Sequence, residues 1–117
     1  MNDWNILLTK HAEDDLRDIY EYIAFTLLEP GAAGKLTRKI IDQINKLKVS
    51  PKSYALYPKE PWKSRGLRRR NAGNYAIFFL PVESKNTVAV IRIVYGGGDI
   101  ERILDDTPDQ QDSDEMD

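Results

Sequence analysis

Residues 65–95 read RGLRRRNAGNYAIFFLPVESKNTVAVIRIVY, and this stretch decides the fold. Residues 75–82 and 87–95 are β-branched and aromatic, the composition of strands. Glu83, Ser84, Lys85 and Asn86 join them as a hairpin loop. Upstream, Asn71, Ala72, Gly73 and Asn74 are rich in residues that tolerate positive φ, which a tight turn requires. The run before that turn is basic, so a third strand over 66–70 carries Arg68, Arg69 and Arg70 close behind Arg65. The expectation is a three-stranded antiparallel meander with Arg68 and Arg70 on one face and Arg69 on the other beside Leu67.

The two apolar strands do not alternate cleanly between apolar and polar positions. Tyr75, Ile77 and Phe79 share one face of the first, and Ala76, Phe78, Leu80 and Val82 share the other. In the second, Ala89, Ile91, Ile93 and Tyr95 stand against Val88, Val90 and Val94, with Arg92 in the latter set. A sheet with one wet face shows a polar residue at every second position. This sheet is apolar on both faces near its middle, so both need a cover. Helices cover one, and a partner protein is the expected cover of the other.

Working outward, residues 4–8 form a short strand candidate with Trp4, Ile6 and Leu8 on one face. Thr9 is placed to cap a helix over 12–28, with acids near its positive end. Apolar residues at 12, 16, 19, 20, 23 and 27 give a 3.6-residue stripe. Glu13, Asp14, Asp15, Asp18 and Glu21 fall opposite and read as a solvated face rather than a metal site. Leu28, Glu29, Pro30 and Gly31 break the helix. A second, over 32–50, points Ala33, Leu36, Ile40, Ile44 and Leu47 inward and Lys35, Arg38, Lys39, Lys46 and Lys48 outward. Two such helices pair as an antiparallel αα-hairpin on the sheet.

Residues 51–64 form an irregular loop whose Tyr54, Tyr57 and Trp62 either anchor it to the core or stack on bases. After Tyr95, Gly96, Gly97 and Gly98 turn the chain, since the lysine and hydroxyl residue of a phosphate loop are missing. Asp99 then caps a short final helix docked by Ile100, Ile103 and Leu104. The fold class is therefore α+β: an N-terminal αα-hairpin on a twisted, mainly antiparallel sheet, with a short C-terminal helix.

The 117 residues carry a net charge of −2, which conceals two unlike segments. Residues 105–117 hold seven acids and no base, and composition predicts a disordered acidic tail there. The domain expected over 1–104 then carries 17 basic and 12 acidic residues, a net of +5. Such a tail either solubilises the chain or folds transiently over the basic body within a screening length of about 8 Å. With no cysteine and one histidine, His11, the chain offers no disulfide, thiolate or multi-histidine metal site, and no cofactor is expected. No apolar run reaches the roughly 20 residues of a membrane helix. The opening lacks a secretory pattern, and a cytoplasmic location fits.

Four local patterns together resemble the RelE/ParE superfamily of bacterial toxin–antitoxin toxins, from about Trp4 to Leu104. These are residues 8–16 continued by Ile19 and Tyr22, then Ser50 with Pro51, then Gly66, Leu67, Arg68 and Arg69 followed by Gly73, Asn74 and Tyr75. The fourth runs from Arg92 to Gly96 and on to Asp99, Ile100, Ile103 and Leu104. The resemblance implies a cognate antitoxin partner and one of two actions. RelE-like members cut messenger RNA on the ribosome. ParE-like members poison DNA gyrase by binding. Where RelE-like members often carry catalytic arginines, this chain has Ala76 and Gly98, and their C-terminal tyrosine has no counterpart near Leu104. The resemblance therefore points to the ParE-like branch, with RelE-like RNA cleavage as the alternative and no catalytic residue assigned. It makes Arg65, Arg68, Arg69, Arg70 and Arg92 the candidate residues for binding a target or nucleic acid. Ile77, Phe79, Arg38 and Lys39 are the candidates for binding antitoxin.

Overall fold

The computed structural model describes residues 3–108. Strand β1 (Asn5–Leu8) leads into helix α1 (Lys10–Glu21), and a π-helical turn (Tyr22–Thr26) closes it. Helix α2 (Pro30–Asn45) returns antiparallel and ends in a 3₁₀ turn (Lys46–Lys48). A loop containing the one-turn helix α3 (Trp62–Arg65) reaches strand β2 (Arg68–Ala72), then β3 (Tyr75–Val82) and β4 (Thr87–Tyr95). Helix α4 (Ile100–Asp105) follows. The sheet order is β1-β4-β3-β2, antiparallel except where β1 lies parallel to β4. The α+β expectation holds, and so does the meander.

Boundaries moved for local reasons. Thr9 caps α1 as expected: its hydroxyl accepts from the Ala12 N–H at 3.2 Å and donates to the Val90 carbonyl at 2.8 Å. Pro30 is the first residue of α2 rather than part of a break, because that position needs no N–H. At the other end α2 stops at Asn45, and Ser50 enters the left-handed region at φ 52° before Pro51. The arginine strand starts two residues later than expected. Gly66, at φ 91°, ends α3 instead. Arg65 thereby sits on a helical turn, its guanidinium 4.9 Å from the Trp62 ring centre. Gly73 and Asn74 then make a two-residue turn between paired Ala72 and Tyr75, with Gly73 at φ 60°.

Two apolar layers sandwich the sheet. On the helix side, Ala12, Ile40, Ile44 and Leu47 pack on Ile77, Phe79, Val88, Val90 and Ile93. On the other side, Tyr57, Trp62, Leu67 and Leu104 cover Ala76, Phe78, Leu80, Ala89 and Ile91. The second face is thus closed by the chain itself and not by a partner, which corrects the expectation from sequence. The loop before β2 and helix α4 do this together, pinned where Trp62 Nε1 donates to the Leu104 carbonyl at 3.1 Å. Tyr57 meets Phe78 edge to face at 5.6 Å, and Tyr54 meets Phe79 at 5.9 Å. The loop aromatics are anchors.

The assignment of β3 faces stands, but that of β4 does not. A bulge makes Phe78 pair with Arg92 and Phe79 with Val90, so Ile91 is the extra residue. Alternation restarts there, which puts Ile91 in one layer and Ile93 in the other. The fold also continues past Leu104: Thr107 is buried, and its hydroxyl donates to the Ile103 carbonyl at 2.6 Å. Most of the expected acidic tail, residues 109–117, lies outside the described residues.

Candidate functional site

The five candidate arginines do not form one site. Arg68 and Arg70 point toward the helix layer, where both engage the loop residue Tyr54. Arg68 Nη1 donates to the Tyr54 carbonyl at 2.6 Å, and the Arg70 guanidinium lies 4.9 Å from the Tyr54 ring centre. Arg70 Nε also donates to Gln43 Oε1 of α2 at 2.7 Å. These two arginines therefore tie the loop and α2 to β2. Arg92 is tied down more firmly. Its Nε and Nη2 grip both oxygens of Asp15 at 2.7 and 2.8 Å, and Nη1 donates to Thr107 Oγ1 at 3.0 Å. That carboxylate, hydrogen-bonded to Arg92, raises the guanidinium pKa further above its ordinary value. Asp15 also accepts from the Ile93 N–H at 2.9 Å, so it is not part of the solvated acidic face of α1.

Arg69 is different. It faces the layer away from the helices, 5.6 Å from the Phe78 ring centre, and its Nε donates to Asn71 Oδ1 at 3.1 Å. It lines an open pocket of about 290 Å³ with Asn71, Gly73, Asn74, Tyr95, Gly96 and Gly97. Among the lining residues Arg69 carries the charge, surrounded by amides and a phenol, and Lys39 Nζ reaches in from α2 to within 3.4 Å of where a Gly73 Cβ would stand. Such a pocket can hold an anionic group by charge and hydrogen bonding. Arginine itself stays protonated and moves no proton. The one histidine, His11, lines a separate groove beside β1 with Leu7, Thr107 and Pro108. Among the described residues no group of three acids or histidines is placed to hold a metal.

The expected antitoxin contacts separate as well. Ile77 and Phe79 are 0% exposed beneath the helices, so no partner reaches them in this fold. Burial under the chain's own αα-hairpin removes them from any docking surface. Arg38 and Lys39 are exposed on α2. The accessible apolar surface lies elsewhere, at the turn end of the helical hairpin, where Phe25 is 68% and Leu28 77% exposed. It continues into a groove of about 670 Å³ between α1 and α2, lined by Leu8, Leu16, Tyr20, Phe25, Thr37 and Ile41, with Glu13, Arg17 and Glu21 at its charged rim. Sequence reasoning missed this surface because it placed residue 27 on the inward stripe. The π turn slips that register, and Leu27 comes out half exposed. The surplus of apolar residues at 25, 27 and 28 was the available signal.

No curated protein matches the chain. Solved structures do. The chain is similar to the chromosomal ParDE toxin–antitoxin system of P. aeruginosa at 25% identity and a TM-score of 0.64, covering 79% of this chain and 95% of that one. The toxin–antitoxin complex RelBE2 of Mycobacterium tuberculosis matches at 15% identity and a TM-score of 0.57, over 80% of this chain and 98% of that one. A mutant of the E. coli toxin RelE in the free state matches at 9% identity and a TM-score of 0.61, over 90% and 94%. The last two speak to the fold alone. A sequence model described as the ParE toxin of the type II toxin–antitoxin system parDE matches residues 6–111. With that match spanning every helix and all but the first residue of the sheet, the chain belongs to the ParE family of type II toxin–antitoxin toxins.

Proposed function

We propose that this ParE-family toxin acts by binding DNA gyrase in the cytoplasm, and that a cognate antitoxin neutralises it. The observation that carries this reading is the composition of the Arg69 pocket. Its lining offers the Arg69 cation and hydrogen-bonding groups, with the Lys39 ammonium beside Gly73, but no carboxylate or imidazole to take a proton during in-line attack. Recognition needs only the former. The long apolar groove along the helical hairpin supports the second half, since an amphipathic segment lays its apolar face into such a groove. Arg38, exposed on the second helix of that hairpin, adds charge for an acidic segment, while Lys39 reaches toward Gly73 at the β2–β3 turn.

RelE-like cleavage of ribosome-bound messenger RNA is the second reading. The observation favouring it is that Arg69 and the Tyr95 phenol share one pocket, where a phosphate would lie between a cation and a hydroxyl.

Induced expression of the chain, alone and together with the small reading frame beside it, tests the toxin–antitoxin part. Growth should stop in the first case and continue in the second. The neighbour's product should also raise the melting temperature of the purified chain, because binding the folded state at 100 times Kd adds about 2.7 kcal/mol. Equal melting temperatures with and without a saturating neighbour product would refute the pairing.

A further inference from the structure

A second cleft lies on the opposite side of Tyr95 from Arg69, and its chemistry is inverted. It is lined by Asp18, Ile19, Tyr22, Tyr75 and Tyr95 and encloses about 510 Å³. We propose that this cleft is a receptor for the guanidinium or ammonium group of an arginine or lysine presented by a partner protein. The inference concerns a different set of residues from the arginine strand and does not depend on gyrase being the target.

The cleft follows from two regular spacings. Asp18 and Tyr22 are four residues apart at the end of α1, so they project from one helix face. Tyr75 and Tyr95 are directly opposed across β3 and β4, with ring centres 5.7 Å apart at 66°. The helix pair faces the strand pair, and three phenols border one carboxylate. Burial pushes the Tyr75 phenol pKa up, with the neighbouring Tyr95 and Tyr22 phenols adding to it, which accords with the three rings lying close. Tyr22 and Tyr95 each remain 54% exposed, so the cleft is open to a ligand. The Tyr95 ring folds back over the glycine turn, where a Cβ on Gly97 would lie 2.6 Å from its Cε2. Only a residue without a side chain lets the ring fold back over that turn.

Charge selects the occupant. Aromatic faces attract cations, and Asp18 supplies a full negative charge on the rim. That carboxylate is weakly engaged, at 3.9 Å from Arg17 Nε, whereas Arg17 comes closer to Asp14 at 3.2 Å. An anionic ligand would meet Asp18 and has the Arg69 pocket across Tyr95 available instead. The Asp18 side chain is 70% exposed at the rim, so an apolar occupant would leave its charge unused. A cationic side chain satisfies both the rings and the acid, and its methylene stem fits the remaining space.

The test uses the full chain and small probes. Nα-acetyl-arginine amide and Nα-acetyl-lysine amide are titrated at low ionic strength against the protein's NMR spectrum, with Nα-acetyl-citrulline amide as the neutral match. Both cations should shift the signals of Asp18, Tyr22, Tyr75 and Tyr95, and citrulline should shift them far less. Asp18→Asn and Tyr22→Leu, both at exposed positions, should each weaken the cations about two- to fivefold. Equal shifts by citrulline would overturn the proposal. So would unchanged affinity in both variants, or cation shifts confined to the outer acids Asp14 and Glu21.

Discussion

Replacing Asp15 by alanine removes the acceptor that holds Arg92, and the consequences follow from the geometry. The pair is bidentate at 2.7 and 2.8 Å, and its side chains are only 19% (Arg92) and 13% (Asp15) exposed. Breaking a buried pair by deleting one partner costs about 3–5 kcal/mol, because the other charge stays desolvated without compensation. The residual exposure of Arg92 brings this case below that range, to about 2–3 kcal/mol. The variant also loses the acceptor for the Ile93 N–H, which pins α1 to β4. For a domain of about 100 residues the melting temperature should fall by roughly 10–20 °C. Urea unfolding followed by circular dichroism measures it. Asp15→Ala, Arg92→Ala and the double variant together form a cycle in which the double should be less destabilised than the sum of the singles. Asp18→Ala, at a carboxylate whose side chain is 70% exposed, serves as a control that moves stability by no more than about 0.5 kcal/mol. An Asp15→Ala midpoint equal to the parent's, or strict additivity in the cycle, would refute the claim that Arg92 is structural.

Arg68→Ala should lower stability by about 1.5–3 kcal/mol, since it strands the Tyr54 carbonyl that a charged donor now satisfies. Arg69→Ala should leave stability near the parent's while weakening an anionic ligand and flattening its salt dependence. The reverse pattern in denaturation and binding curves would contradict the division of the arginines. Trp62→Phe should cost about 1 kcal/mol through its lost bond to the Leu104 carbonyl, and Trp62→Ala about 3–5 kcal/mol. Equal unfolding midpoints for the two variants would show that this face is not packed as described. Burial raises the pKa of the Tyr57 phenol above 10.0, so the folded chain keeps a proton that the unfolded chain releases. The resulting stability is full below about pH 10 and declines as pH rises from there toward the folded value. Tyr57→Phe should therefore lose less stability than the parent between pH 10 and 11, as read by urea midpoints.

Alternation along β3 was legible because each residue from Tyr75 to Leu80 keeps to the period of two and belongs to one layer. The sequence also implied two apolar faces, and there are two. What covers the second face was hidden because the contact is long-range. Nothing local in Trp62 says that it meets Leu104, 42 residues later. The bulge at Ile91 and the π turn after Glu21 each insert one residue into a regular period, and a period cannot announce its own interruption. Asp15 sits among four other acids and differs from them only in facing an arginine 77 residues away. The density of arginine in β2 was plain. Its division into two structural arms and one open cation was half visible, since strand alternation separates Arg69 from Arg68 and Arg70. What remained hidden was that Tyr54 and Gln43 occupy one of those faces.

The central claim is that this toxin works by binding gyrase and not by cutting RNA. The most direct measurement adds the purified chain to a DNA gyrase supercoiling reaction and, in parallel, to ribosomes translating a defined message. Supercoiling should fall with increasing chain, recover when the neighbouring reading frame's product is added, and resist inhibition by Arg69→Ala, while the message stays intact. Undiminished supercoiling together with cleavage of the ribosome-bound message would contradict the account.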